Sequence, residues 1–183
     1  GTGRYLFKQA RLNRIEPDES MLPIKVPNAT PEILLENAFD DEQALLAKVR
    51  YNRLVDLFLG ISAYSLQNHL RTNVKTIGQI EIDELYVGLN RRGSQFIVPV
   101  QAKVGRDQHG GVQTEQDIAF CKERFPNLIC RPVSVHDLGN RRMAMFELAI
   151  SDDEVSIVDQ KHYTLVPAAD ITADDLRAYG MRD

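Results

Sequence analysis

Apolar and polar residues alternate along two runs, Ile80-Glu81-Ile82-Asp83-Glu84-Leu85-Tyr86-Val87 and Phe96-Ile97-Val98-Pro99-Val100-Gln101-Ala102-Lys103. A period of two predicts strands. Between them, Asn90-Arg91-Arg92-Gly93-Ser94 suits a three-residue hairpin loop, with Arg91 and Arg92 in a type I turn and Gly93 in the left-handed conformation that glycine adopts at little cost. That turn pairs Asn90 with Ser94, and counting back sets Asp83 opposite Gln101 and Glu81 opposite Lys103. Directly opposed residues share a face, so these four polar groups are expected to project together. The other face, Ile80, Ile82, Tyr86, Phe96, Val98, Val100 and Ala102, is core material. Glu84 is its polar exception, and a one-residue slip or bulge would set Glu84 opposite Gln101 in place of Asp83.

The remaining pattern predicts an α/β chain. Met21 to Val26 reads as a short edge strand, and Thr30-Pro31-Glu32 opens a short helix to about Asn37. Asp40 or Asp41 starts a longer helix to about Gly60, with Leu45, Leu46, Val49, Leu54, Leu57, Phe58 and Ile61 on its buried side. Asn52 and Asp56 continue that row as satisfied boundary groups or as inward supports for a site. A second helix is expected over Ala63 to Thr72. Beyond Lys103 a glycine-rich loop, Val104 to Val112, precedes a helix over Gln113 to Phe125 and a parallel strand over Asn127 to Val135 beside the strand of Lys103, the usual right-handed crossover. Met143 to Ile150 and Val155 to Leu165 form a last hairpin, and Thr172 caps a short terminal helix.

Composition narrows the class. A chain of 183 residues, 43% hydrophobic, is expected to form one domain, with a helical part over about 30–72 and a core over about 79–165. No run of about 18 apolar residues is present, which argues against a membrane span. Gly1-Thr2-Gly3 reads as a trimmed start or appended remnant, with no signal-peptide pattern after it. Cys121 and Cys130 read as reduced core residues of a cytoplasmic protein. The net charge of -4 comes from the tail: residues 133–183 hold 5 Lys and Arg against 10 Asp and Glu, whereas residues 1–79 hold 10 against 9 and residues 80–132 hold 7 of each. Local basic groups therefore remain free to meet phosphates. Candidate DNA contacts are Arg50, Arg53, Asn68, Arg71, Arg91, Arg92 and Gln116. The plain alternative for each is a solvated surface group. The four histidines, His69, His109, His136 and His162, lie too far apart for a local zinc motif.

Carboxylates, an amide and an ammonium on one hairpin face destabilise the chain unless they pair or bind something. A divalent cation resolves the conflict. Asp83, Gln101 Oε1 and Glu81 are hard oxygen donors suited to Mg²⁺, which keeps several waters and binds phosphate oxygens directly. Lys103 would then orient or deprotonate the attacking water, or stabilise charge growing on the phosphate. The competing explanation is a solvated face on which Glu81 and Lys103 form an ordinary cross-strand ion pair.

The hairpin resembles the core of the PD-(D/E)xK nucleases, the superfamily of many restriction endonucleases. Asp83 matches the acid of the first half-motif, and Gln101 with Lys103 matches the second in its QxK form. Ile82 stands where the motif has Pro, and Gln101 replaces the second acid. The stretch from about Glu42 to Pro132 also resembles small bacterial endonuclease-type proteins. The resemblance implies a restriction endonuclease-like core, a mixed sheet flanked by helices, that hydrolyses DNA with Mg²⁺ or Mn²⁺, in a restriction or phage-defence setting with a cognate methyltransferase or other partner. It gives Glu42 the part of an extra metal-binding acid from an N-terminal helix, where charge complementing the helix end is the alternative. Cutting both strands of a duplex is most simply done by a homodimer. The competing class is a DNA- or protein-binding module that keeps the fold with an inactive site.

Overall fold

The computed structural model describes residues 15–39, 41–105, 110–152 and 154–181. Asp40 as a helix start, the centre of the glycine-rich loop with His109, and the first residues of the chain lie outside them.

The expected hairpin forms β3 (Gly78–Leu89) and β4 (Gln95–Lys103) in the register set by the turn, with Glu84 opposite Val100 and Leu89 opposite Gln95. Asn90 N–H donates to Ser94 O at 3.1 Å, and Gly93 has φ +81°. Neither the slipped pairing of Glu84 with Gln101 nor the expected pairing of Asp83 with Gln101 occurs, because the ladder stops at Glu84↔Val100. Around this hairpin a mixed sheet runs in the order β1-β8-β7-β6-β4-β3-β2, with β5 also paired to β4. Its other strands are β1 (Ile24–Pro27), β2 (Ser62–Val74), β5 (Ile129–Cys130), β6 (Val133–Gly139), β7 (Arg142–Ser151) and β8 (Glu154–Val166). As expected, β1 lies at an edge, β5 and β6 run parallel to β4, and β7 and β8 form a hairpin.

Helices α2 (Glu42–Tyr51) and α3 (Leu54–Leu59) cover one face, where Leu46, Val49 and Leu54 join Val98, Val100, Val133 and Met145 in the largest core cluster. Helix α4 (Gly111–Arg124) belongs to a second cluster, in which Phe120 and Cys121 meet Leu85 and Ile97. Short helices α1 (Glu32–Asn37) and α5 (Ala173–Gly180) complete the chain, the latter capped by Thr172 as expected. Pro31 precedes α1 as its cap residue instead of opening it. Leu46 is fully buried. Leu46→Ala is accordingly expected to lower unfolding free energy by about 2–5 kcal/mol, read from denaturant midpoints at unchanged m-value.

Three expectations are corrected. Ala63 to Thr72 is strand, not helix: it lies within β2, whose backbone pairs with β3 from Ser62↔Leu89 to Val74↔Gly78. The N-terminal helical part, expected over about 30–72, thus ends at Leu59. The long helix to Gly60 is broken at Asn52 and Arg53, because Arg53 takes a left-handed φ of +50° and the buried Asn52 side chain ties back to Ala29 N, Thr30 Oγ1 and Lys48 O. Asn52 is thus a satisfied boundary group, and Leu57 is 55% exposed, off the buried side. Finally, Ile80 and Ile82 pack in the α4 cluster with Phe120, not with Tyr86 and Val98. The β3–β4 ladder ends at Glu84↔Val100, and β3 stays with β2 beyond it while His69, beside the Asn68↔Glu84 pair, takes a φ of +50°.

Candidate active site where the central strands part

The parting of β3 from β4 makes the site. Even-numbered positions of this hairpin turn their backbone N–H toward the partner strand, as Asn90 does in donating to Ser94 O, so the N–H of Ala102 points toward β3. With the ladder ended, Asp83 Oδ2 accepts that N–H at 2.8 Å. A carboxylate thus fills the gap a backbone carbonyl has left, and Asp83 is only 9% exposed. On the other side of β4, Gln101 sits opposite Ser134 and Lys103 opposite His136, which fixes both side chains on one face.

Gln101 bridges the opening. Its Nε2 donates to Glu81 O at 3.1 Å and to both oxygens of Asp117 on α4, at 3.1 and 3.2 Å. The amide nitrogen is thereby committed, and Oε1 is the end of the group left to face another partner. Burial pushes the Asp83 carboxyl up, against the Ala102 bond and the Lys103 charge. Burial drives Asp117 well up too, against the Gln101 bond, with Asp83 adding repulsion and Lys103 attraction. Asp83, Asp117 and Lys103 therefore act on one another electrostatically, and two carboxyls held back from ionising in one cleft are a place where added positive charge is favourable. His136 is held down to about 4 by burial and by Lys103, so its imidazole is neutral at pH 7.

The other candidates separate into groups. Glu81 does not face Lys103: it pairs with Arg71 at 3.1 Å and with His69 at 3.2 Å, which corrects the expected cross-strand pairing. It still stands near enough to Asp83 to raise its carboxyl. Glu42, at the start of α2, lies 3.9 Å from Lys103 Nζ. Arg50 pairs with Glu84 at 2.8 Å, on the opposite side of the sheet from α4. Ser65 donates to the same Glu84 oxygen at 2.6 Å, and Asn68, with its amide nitrogen turned inward, reaches it at 3.2 Å. Arg50 and Asn68 thus serve a buried carboxylate. Arg53 pairs with Asp56. Arg91 and Arg92 are exposed on the turn, about 25 Å from the carboxylates at about 3.3 Å per residue, so they do not line this cleft. Gln116 is half-buried on α4.

Asp117 is the candidate site residue that the sequence pattern did not single out. Its signal lay in spacing: Thr114, Asp117, Phe120 and Cys121 form the buried row of α4, and an acid on the apolar row of a helix calls for a partner. Below the ordinary carboxylate value of 3.8, Asp117 is neutral in folded and unfolded chains alike. Above it the unfolded chain releases the proton and the folded chain keeps it, so stability is lost as pH rises, until Asp117 ionises in the folded state too. Asp117→Asn is expected to gain on the wild type as pH rises from about 4, by at most about 1.4 kcal/mol per pH unit, in denaturation midpoints. His136, held at about 4 against an ordinary 6.5, works in the opposite sense between those values, but in both proteins, and cancels in the difference.

Among the described residues, no group of three or more His, Cys, Asp and Glu side chains is placed to hold a metal ion. No helix among them is long and apolar enough to cross a membrane. No family model matches the chain, and no curated protein or solved structure matches it either.

Proposed function

We propose that this protein is a Mg²⁺-dependent endonuclease that hydrolyses phosphodiester bonds in DNA. The reading is carried by one observation: Asp83, Gln101 and Lys103 come together where β3 leaves β4, with Asp117 orienting the amide of Gln101. The chain order supports it too, because a helix, a three-strand meander, a crossover helix and a parallel strand agree with the restriction endonuclease-like core that the motif implies.

Asp83 and Gln101 Oε1 would hold Mg²⁺, which needs only one or two protein oxygens besides water and substrate phosphate. The ion supplies Lewis-acid stabilisation of the charge on the phosphate. The chain's own groups do the rest. Lys103, largely buried beside neutral His136, offers a cation to the pentavalent phosphate and a hydrogen bond that orients the attacking water. Water oxygen bonds to phosphorus and gives up a proton to solvent, the ester bond to the leaving sugar oxygen breaks, and that oxygen takes a proton from solvent in turn. Asp117 keeps Gln101 facing the cleft. Glu42 sets the position of Lys103, and Mn²⁺ substitutes for Mg²⁺ in such an oxygen site.

A homodimer would present two such sites to a duplex. The alternative is a binding module with the same fold, favoured by the net charge of -4. Incubation of supercoiled plasmid with Mg²⁺, with Mn²⁺ and with EDTA separates them, with light scattering to give the assembly state. Metal-dependent nicking or linearisation supports the nuclease, and retention of DNA without cleavage in either metal supports the module.

A further inference from the structure

The sheet register carries a row of side chains away from Lys103. Lys103 on β4 is opposite His136 on β6, His136 is opposite Ala144 on β7, and Ala144 is opposite His162 on β8. Opposed residues share a face, so the four lie in one line across four strands, with the small Ala144 between two imidazoles. Ile15 and Pro17 of the N-terminal segment, with Leu138, Arg142 and the acids Glu19 and Asp137, close this line into a pocket of about 450 Å³ that opens onto Lys103. The acids stand on one side of Lys103, on β3, and the pocket on the other, over β6 to β8.

We propose that this pocket receives one unstacked nucleotide of the substrate strand, next to the phosphate held at Lys103, so that the substrate is single-stranded, frayed or mismatched DNA and not an intact duplex. The inference rests on the nuclease reading above and names its substrate class. Size is the first support: the volume falls in the range of roughly 300–1,000 Å³ of small-molecule sites, room for one nucleotide. The lining is the second. Pro17 and Leu138 offer apolar surface for the face of a base, while the two histidines offer hydrogen bonds to its edge. Each imidazole is held by a neighbour: His136 Nε2 lies 2.9 Å from Ser134 Oγ, and His162 Nε2 lies 2.8 Å from Gln160 Nε2. The Gln160 amide can only donate there, which puts the proton of neutral His162 on Nδ1. Arg142, exposed at the rim, is placed for a second phosphate. A base reaches such a pocket only by leaving its stack, which is easiest where it is unpaired already.

The test uses the whole chain and two variants on the pocket wall, Leu138→Trp to fill it and Arg142→Gln to remove its rim charge. Calorimetric titration compares thymidine 5′-monophosphate with inorganic phosphate, and cleavage compares a labelled single strand, a perfect duplex and a duplex with one mismatch. The proposal expects the nucleotide to bind at least tenfold tighter than phosphate, and Leu138→Trp to abolish that difference. It also expects the single strand and the mismatch to be cut at least tenfold faster than the perfect duplex, with Arg142→Gln lowering all rates by less than Leu138→Trp does. Nucleotide binding no tighter than phosphate, together with Lys103-dependent cutting that ignores strandedness, would overturn the pocket assignment and leave the nuclease reading standing. Selective nucleotide binding lost in Leu138→Trp, with no metal-dependent cleavage of any DNA, would uphold the nucleotide site and overturn the nuclease reading instead.

Discussion

Asp83→Asn is expected to lower metal-dependent cleavage by roughly 10²–10³-fold or more, while the folded chain keeps its stability. The substitution separates two roles of one side chain. The amide oxygen of Asn still accepts the Ala102 N–H that closes the gap between β3 and β4, a bond of 2.8 Å in the wild type. The negative charge is lost, and with it the strongest of the proposed ligands for the cation that would stabilise charge developing on the phosphate. Because burial already pushes the Asp83 carboxyl up, a neutral isostere relieves a cost in the metal-free protein. Thermal unfolding in EDTA should therefore show a midpoint equal to or above that of the wild type, and single-turnover cleavage in Mg²⁺ should show the loss. A variant that cuts as fast as the wild type would confine Asp83 to a strand-capping role.

A large electrostatic effect on stability is expected on the opposite face. Glu84 is fully buried, and its Oε1 is held by Arg50 at 2.8 Å and by Ser65 at 2.6 Å. Arg50→Met leaves that carboxylate without its cation, which should cost roughly 3 kcal/mol; the lower end of the range for broken buried pairs applies because Arg50 is itself a third exposed. Arg50→Met combined with Glu84→Gln removes both charges and should recover most of the loss. Equal stability of wild type and Arg50→Met in urea titrations would show that Ser65 and Asn68 suffice to hold Glu84. Additive losses in the double variant would show that the pair is not coupled.

What the sequence disclosed follows from where local rules govern. The hairpin turn fixed its own register, because Gly93 and the loop length leave one pairing, and Thr172 with Asp175 marked the last helix through a capping box. Strand β2 escaped notice for a physical reason. Most of its residues from Tyr64 onward are exposed, so no alternation marks it, and only pairing with β3 makes it a strand. The break after Tyr51 depends on Asn52 reaching Ala29 and Thr30, contacts more than twenty positions away that no local pattern encodes.

The same division holds at the site. Asp83, Gln101 and Lys103 were legible as polar positions on the two strands of one hairpin, although the pairing expected between Asp83 and Gln101 does not form. The parting of the strands, which moved Glu81 to Arg71 and brought Asp117 to Gln101, arises from long-range packing of Ile80 and Ile82 against Phe120. Arg50 read as a phosphate contact because its partner Glu84 lies 34 positions away on another element.

Asp83, Gln101 and Lys103 are proposed to hydrolyse phosphodiesters with a metal ion. Single-turnover cleavage of an end-labelled oligonucleotide, run with wild type and Lys103→Met side by side in Mg²⁺ and in EDTA, tests it most directly. Cleavage by the wild type in Mg²⁺ alone, with Lys103→Met reduced by roughly 10²-fold or more and folded as before, is the predicted result. Equal rates for the two proteins, or wild-type cleavage that persists in EDTA, would contradict it.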